Sequence, residues 1–461
     1  MKNKNKEGIS RRDFLKAGGI GAAVATATLV GCKPKDIVSA ADGASGEVPT
    51  DKMTYRTNQI TGDVVSLLGY GCMRWPLRKR ADGNGEEVDQ DAVNELVDYA
   101  IAHGVNYFDT APVYIRGWSE AATGIALKRH PRDKFFIATK SSRNNTLESG
   151  IAMYHNSMRE LQVDYIDYYL LHSIGGGRDG IEEFKVRYIY NGLLDFLLKE
   201  RAEGRIRNLG WSFHGDVKVY DYALAMDIRW DFVQIQLNYQ DWQHADGVRN
   251  VNAEYLYGEL VKHNIPAIIM EPLLGGRLAR VPAQALTLMK NVRPEDTAAQ
   301  WAFRYAGTPE NVLTVLSGMV YMEHLQENII TYSPLAPITE QENKVLEEAT
   351  GVLIDSEYIQ CTECQYCMPC PYGLDIPGIF GHYNRCVSSG KILKNSNDEN
   401  YRRARREFLV GYDRSVPKLR QANHCIECDQ CLPKCPQGIK ITQEMRRVDL
   451  YAEQLKQSIE F

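Results

Sequence analysis

The sequence predicts an α/β fold: a closed (β/α)8 barrel followed by a small, mostly α-helical domain rich in cysteine. Three observations carry this. Short apolar runs alternate with amphipathic stretches from Met53 to Pro337, eight such runs occur, and eight cysteines crowd into two stretches near the C-terminus. The 461 residues allow two to four domains at ~100–200 residues each. With 44% hydrophobic and 25% charged residues, the composition is that of a globular chain and excludes a disordered or multi-span membrane protein. A net charge of −5 gives no reason to expect nucleic acid as a partner.

Residues 1–32 are predicted to be an address rather than structure. Lys2, Lys4, Lys6, Arg11 and Arg12 precede a mildly apolar run from Ala17 to Val30. Fourteen residues are too few to cross a ~30 Å hydrocarbon core as a helix, but a basic stretch before a short apolar one is the layout of an export signal. SRRDFLK (10–16) resembles a twin-arginine signal, which carries proteins out already folded. Leu29-Val30-Gly31-Cys32 resembles a lipobox, which implies a lipidated Cys32, contact with a membrane and a periplasmic location. No strand precedes the glycines at 18, 19 and 21, so they are not a dinucleotide loop. Residues 33–52, rich in Ala, Gly, Ser, Asp and Lys, read as a flexible linker.

The barrel is predicted over 53–337. Its apolar runs are 64–71, 105–110, 135–140, 165–172, 206–213, 232–239, 266–273 and 312–319. Each reads as a strand buried on both faces, as in an all-parallel sheet. The stretches between them, such as DAVNELVDYAIAHG, have helical spacing and end on the glycine that favours a helix C-terminus. An open doubly wound sheet would need a glycine-rich first turn, which is missing.

Polar groups gather at the C-terminal ends of these runs. Asp109 closes the second, with Tyr114 in the loop beyond; Lys140 ends the third and His172 the fourth. Ser212 and His214 follow the fifth, and Gln234 and Asn238 lie in the sixth. In a barrel these ends share one rim, where barrel active sites form. The loops 173–180 and, with Trp242 and His244, the one after the sixth run are expected to shape a substrate pocket there.

The barrel segment resembles the aldo/keto reductase family, through FDTAPVY (108–114), SE (119–120), ATK (138–140), YYLLH (168–172), LGWSFHG (209–215), EPLLGGRLA (271–279), LSGM (316–319) and Glu327-Asn328. The resemblance implies that Asp109, Tyr114, Lys140 and His172 match the family's catalytic tetrad, acting on a small-molecule carbonyl or alcohol. The chemistry stands on its own: reducing a carbonyl needs a proton at oxygen, and a phenol of pKa ~10 is a poor acid near neutral pH. A neighbouring ammonium, held by a carboxylate, lowers that pKa. Tyr114 would be the acid/base, Lys140 its tuner, Asp109 the partner of Lys140, and His172 the donor that aims the substrate.

The resemblance also implies a nicotinamide cofactor, NADP or NAD, held by Ser212, Gln234, Asn238, Met270, Ser317, Gly318, His324 and Asn328. Two positions depart from the family pattern. Met270 stands where many members have a tyrosine under the nicotinamide, and His324 where many have an arginine on the 2′-phosphate. A neutral imidazole is a weaker phosphate clamp than a guanidinium, so NADPH, NADH and no nicotinamide all remain open.

The remaining residues, 338–461, carry Cys361, Cys364, Cys367 and Cys370, then Cys425, Cys428, Cys431 and Cys435, each run followed by proline. The second has the C-x2-C-x2-C-x3-C-P spacing of bacterial ferredoxins; the first is one residue shorter before its last cysteine. The runs therefore resemble a two-cluster ferredoxin. That implies two 4Fe-4S clusters, with Cys361, Cys364 and Cys367 joined by Cys435, and Cys425, Cys428 and Cys431 joined by Cys370. Zinc does not need triplets, and adjacent C-x2-C units would make strained disulfides. Segments 400–412 and 442–459 read as helical, which suits a helical ferredoxin type. Cys72 and Cys386 read as buried thiols, and Arg402, Arg403, Arg405 and Arg406 as a solvated helix face.

Together these features describe an exported oxidoreductase with an electron-transfer domain, whose physiological partner would be a membrane electron donor or acceptor. Two alternatives stay open: an electron carrier whose barrel is a scaffold, and clusters that serve only as staples.

Overall fold

The computed structural model describes residues 47–142, 146–176, 180–245, 250–393 and 397–457. The export segment, Cys32 and residues 177–179 of the loop after the fourth run lie outside them. The eight barrel strands are β1 (Leu68–Gly71), β2 (Tyr107–Asp109), β3 (Phe136–Ser141), β4 (Ile166–Ile174), β5 (Ile206–Phe213), β6 (Phe232–Gln236), β7 (Ala267–Met270) and β8 (Val312–Ser317). They pair in sequence order and close through β8 and β1, where Val315, Leu316 and Ser317 face Leu68, Gly69 and Tyr70. All these pairings are parallel, so every strand is buried between neighbours and helices.

The run 64–71, expected as one strand, breaks at Leu67: Val64–Ser66 pairs antiparallel with Tyr55–Thr57. The turn of this hairpin plugs the N-terminal end of the barrel, where buried Asp63 accepts hydrogen bonds from Tyr168 (3.0 Å) and Asn208 (2.9 Å). Above the plug, Tyr107, Phe136 and Phe232 pack edge-on around Tyr168. With its lower end filled, the barrel can present chemistry only at the other rim.

Helix Glu340–Ile354 packs its Leu346, Ala349 and Leu353 with Ala285 and Met289 of the barrel helix Ala283–Val292. By packing it belongs to the barrel's outer layer, and the cysteine-bearing chain starts beyond it, a helix later than the expected division at 338. That chain contains helices Ile376–Ser388, Tyr401–Ser415 and Ile441–Gln457. The last two match expectation; the first is an addition to it. Phe380, Tyr383, Phe408, Tyr412, Met445 and Val448 form their shared core, together with Cys367, Cys386 and Cys435. On the helix Tyr401–Ser415, Arg402, Arg403 and Arg406 face solvent, while Arg405 reaches the carbonyl of Leu455. Among the described residues no helix is long and apolar enough to cross a membrane.

Candidate functional site

Parallel pairing brings the ends of β2, β3 and β4 side by side, and with them Asp109, Lys140 and His172. Lys140 Nζ donates to Asp109 Oδ1 at 2.5 Å and to the carbonyl of Thr110 at 2.8 Å. The same ammonium lies 4.9 Å from the ring centroid of Tyr114, and Tyr114 meets His172 edge-on with centroids 6.0 Å apart. His172 Nδ1 is 2.9 Å from the hydroxyl of Ser142, which fixes the ring.

The loop carrying Tyr114 is pinned from below. Ser119 Oγ donates to the carbonyl of Cys72 and is 2.7 Å from Thr110 Oγ1, and Thr139 donates to buried Glu120. After Tyr114 the chain passes through left-handed conformations at Ile115 (φ 49°) and Arg116 (φ 57°), strained for residues with a Cβ. Burial raises the pKa of Tyr114 well above that of an ordinary phenol, and Asp109, Cys72 and Glu271 add to it. Burial also raises Asp109, against the pull of Lys140.

The residues expected to hold a nicotinamide lie in β5 to β8 and in the segments that follow them. Gln234 lies beside Asp109, where its amide favours the carboxylate. Ser212 accepts from the backbone of Ser173 at 2.8 Å. Asn238 bonds Asp241 and the carbonyl of Glu271, and half-buried Met270 ends β7. Across the rim, Asn328 donates to Ser317 at 3.0 Å, and Gly318 stands next to Arg74. His324 packs edge-on against Tyr321, with burial and Arg280 lowering its pKa. Half-buried Trp242 packs between Tyr257 and Tyr305.

The cysteine runs meet as two groups. Cys361, Cys364, Cys367 and Cys435 line one cavity with Ile376, Phe380 and Gln437. Burial pushes Cys364 up to about 11 and Cys367 up to about 12, with Cys435 among the neighbours that raise both. Burial likewise raises Cys425 and, to about 11, Cys431, and Cys370 is among the neighbours that raise each. The fourth cysteine of each run thus stands with the other run's triplet. Crowded thiols resist ionising together unless a cation shares the site. Among the described residues no three His, Cys, Asp or Glu side chains converge on a point that could hold a single metal ion; an all-thiol cage around a cavity fits an iron–sulfur cluster.

The two runs are also alike in backbone. Glu363 (φ 52°) and Gln365 (φ 67°) flank Cys364 as Glu427 (φ 58°) and Asp429 (φ 57°) flank Cys428. In each, the amide of the glutamate points at the run's first sulfur. They differ in setting. Cys428 is exposed, whereas the Cys361 run lies on the barrel rim.

That contact holds a residue to which the sequence pattern assigns no role. The hydroxyl of Tyr366, between Cys364 and Cys367, lies close enough to Tyr114 to favour its phenolate, and the Tyr114 phenol, Cys364 and Asp109 all raise the pKa of Tyr366 beyond what burial does. Gln437, just past Cys435, reaches Gln236 at the end of β6 (3.5 Å) and accepts from Asn250 (2.7 Å). A signal for Tyr366 exists in the sequence: the matching position in the second run is Gln430, so the aromatic at 366 is the anomaly in an otherwise repeated pattern.

Comparison with known proteins agrees with this division. The family model "Aldo/keto reductase family" matches residues 67–350, "4Fe-4S dicluster domain" matches 360–439, and the twin-arginine translocation signal matches 8–28. An uncharacterized oxidoreductase of Bacillus subtilis, YqkF, is 24% identical over 320 residues, covering 62% of this chain and 93% of its own. L-galactose dehydrogenase of Arabidopsis thaliana is 25% identical, covering 65% and 92%. A probable aldo-keto reductase of Glycine max is 34% identical, but the chain spans only 41% of its length. Among solved structures, an aldo-keto reductase from Bacillus halodurans in its holo form superposes with a TM-score of 0.52 at 22% identity, covering 64% of this chain and 96% of that one.

Proposed function

The chain belongs to the aldo/keto reductase family, and from that premise we propose that it interconverts a small carbonyl compound and its alcohol, with Tyr114 as acid and base, and that the two C-terminal cysteine runs would hold two 4Fe-4S clusters able to supply electrons. The observation that carries this reading is the packing of Tyr114 against Lys140 and His172, with Tyr366 of the first cysteine run close by.

Reduction of a carbonyl takes up two electrons and two protons. The clusters, when bound, supply electrons singly, and two of them match the pair one turnover consumes. Their source is a one-electron carrier outside the barrel, and the exposed second run is the end nearer to it. Tyr114 gives a proton to the substrate oxygen; the other proton comes from water. Lys140, hydrogen-bonded to Asp109 and the Thr110 carbonyl, sets an ammonium beside the phenol ring, where a positive charge favours the phenolate. His172, fixed by Ser142, donates to the same oxygen. The twin-arginine signal fits clusters inserted before export. Lipidation at Cys32 would hold the enzyme at the periplasmic face of a membrane, beside such a carrier.

The test is anaerobic turnover of sugars, quinones and small aldehydes by Tyr114→Phe. Activity should drop on the order of 10²–10⁴-fold with the visible absorption of the clusters unchanged. Undiminished turnover would leave the barrel as a scaffold for an electron carrier.

A further inference from the structure

One solved structure that shares this barrel is a holo form, and the family resemblance implies a nicotinamide dinucleotide stretched across the rim from Tyr114 and Met270 to Ser317, Gly318 and Asn328. The residues present do not fit one. Thr362 lies directly on the loop after β7: a Cβ on Gly275 would fall 2.3 Å from the Thr362 Cα, so backbone touches backbone with no gap between. From the far side, the Arg74 guanidinium donates to the Thr362 carbonyl, while its own side chain passes within 3.7 Å of where a Gly318 Cβ would be. Gly275, Thr362, Arg74 and Gly318 thus form a continuous bridge across the path between the two halves of the expected site. Arg277 ties the same segment down through Gln360 and stacks on Tyr358.

The groups that a pyrophosphate would need are also engaged elsewhere. The amide of Gly275 donates to the Glu271 carboxylate (2.8 Å), that of Leu274 to the Glu271 carbonyl, and those of Gly276 and Leu278 to Leu273. Glu271 itself puts a carboxylate, not a donor, at the head of the loop. At the other end, Asp109, Tyr114, Lys140 and His172 are each at most 9% exposed, and Tyr366 of the same segment lies close to Tyr114.

We propose that the segment Gln360–Tyr366 occupies the ground of the dinucleotide, so that the barrel site works without nicotinamide and Tyr366 forms the pocket wall facing Tyr114. The inference rests on the reading of Tyr114 as the acid/base. It makes the first cysteine site, through Cys364 and Cys367 on either side of Tyr366, the redox centre next to the substrate, in the position a hydride donor has in other members of the fold.

The experiment is hydrogen–deuterium exchange on the cluster-loaded mature protein, anaerobically, with and without 1 mM NADPH or NADH, alongside a fluorescence titration with each. The expected result is unchanged exchange over 271–279 and 317–328 with either nucleotide. Binding that leaves these segments unprotected supports the inference equally, since it lies elsewhere. Added protection of 271–279 or 317–328, with saturable binding at micromolar concentrations, would overturn the inference. The two readings fail separately: turnover surviving Tyr114→Phe sinks the acid/base role and leaves the exchange result standing, while nucleotide protection at the rim sinks this inference and leaves Tyr114 in place. A wall role for Tyr366 predicts that Tyr366→Phe, with full cluster absorption, changes KM for the substrate more than kcat.

Discussion

In the barrel every strand is hydrogen-bonded on both sides and the large side chains are buried against helices. The chain on either side of each cysteine run, roughly 357–375 and 421–440, contains no strand and only single turns of 3-10 helix. A closed parallel sheet satisfies its own backbone, and apolar burial at ~25 cal/mol per Å² orders it without help. The cysteine loops concentrate four non-glycine residues in left-handed conformations within two short runs, at about 1–2 kcal/mol each, with no sheet of their own to order them. The barrel's fold is therefore its own, while that of the cysteine domain is linked to its clusters.

The sharpest way to break this contrast is Cys435→Ser, which alters the one cysteine of the second run that lines the rim-side cavity. A group that binds only the folded state at 100 times its Kd stabilises it by ~2.7 kcal/mol, so losing it should speed proteolysis within 357–375 by about 100-fold. The barrel's far-UV circular dichroism and its core amide protection should stay unchanged. Equal protection of both regions in the variant would mean that the cysteine domain folds without metal.

A smaller effect follows from His382, buried between Phe408 and Tyr412 in the helical core and lowered to about 4 by burial and by Arg385. The unfolded chain takes up a proton near pH 6.5 while the folded one resists until about 4. Its contribution is therefore complete above pH 6.5 and is lost as pH falls between those values, on the order of 3 kcal/mol in all. His214 near the barrel rim is likewise lowered to about 4 by burial, so the acid slope of the whole chain contains both. His382→Gln should flatten the slope of the cysteine domain alone, read by exchange in Ile376–Ser388; an unaltered slope there would assign the acid sensitivity to the barrel.

The same contrast explains what is legible in the sequence. Barrel strands are apolar on both faces, so composition alone marks them, and the order Asp109, Tyr114, Lys140, His172 on successive strand ends gives a rim cluster once the sheet is closed. Cysteine spacing is equally local, and the crossing of Cys370 and Cys435 follows from resemblance to ferredoxins. What is not legible is what touches what. An apolar run shows that a segment is buried but not against which partner, so Val64–Ser66 reads as part of β1, and the packing of Glu340–Ile354 on Ala283–Val292 is not announced. Thr362 on Gly275 and Tyr366 on Tyr114 join residues more than 80 positions apart, with no periodicity to announce them.

The finest test concerns the seam between the two regions. Gly275 and Gly276 both have positive φ, +67° and +100°, but a Cβ on Gly275 meets the Thr362 backbone whereas one on Gly276 meets nothing within 4 Å. Alanine at either position carries a left-handed penalty of about 1–2 kcal/mol, or a few degrees in Tm. Only Gly275→Ala must also push the Cys361 run away from the rim, and with it Tyr366 from Tyr114. Gly276→Ala should therefore lower Tm and leave substrate KM as it was, while Gly275→Ala should lower Tm and raise KM several-fold. If both variants move KM equally, the loop after β7 acts on the pocket by its own conformation, and the cysteine domain rests on the barrel without shaping its site. If they separate, the pocket is built jointly by a sheet that folds alone and a loop that needs its metal, and cluster loading sets substrate affinity as well as electron supply.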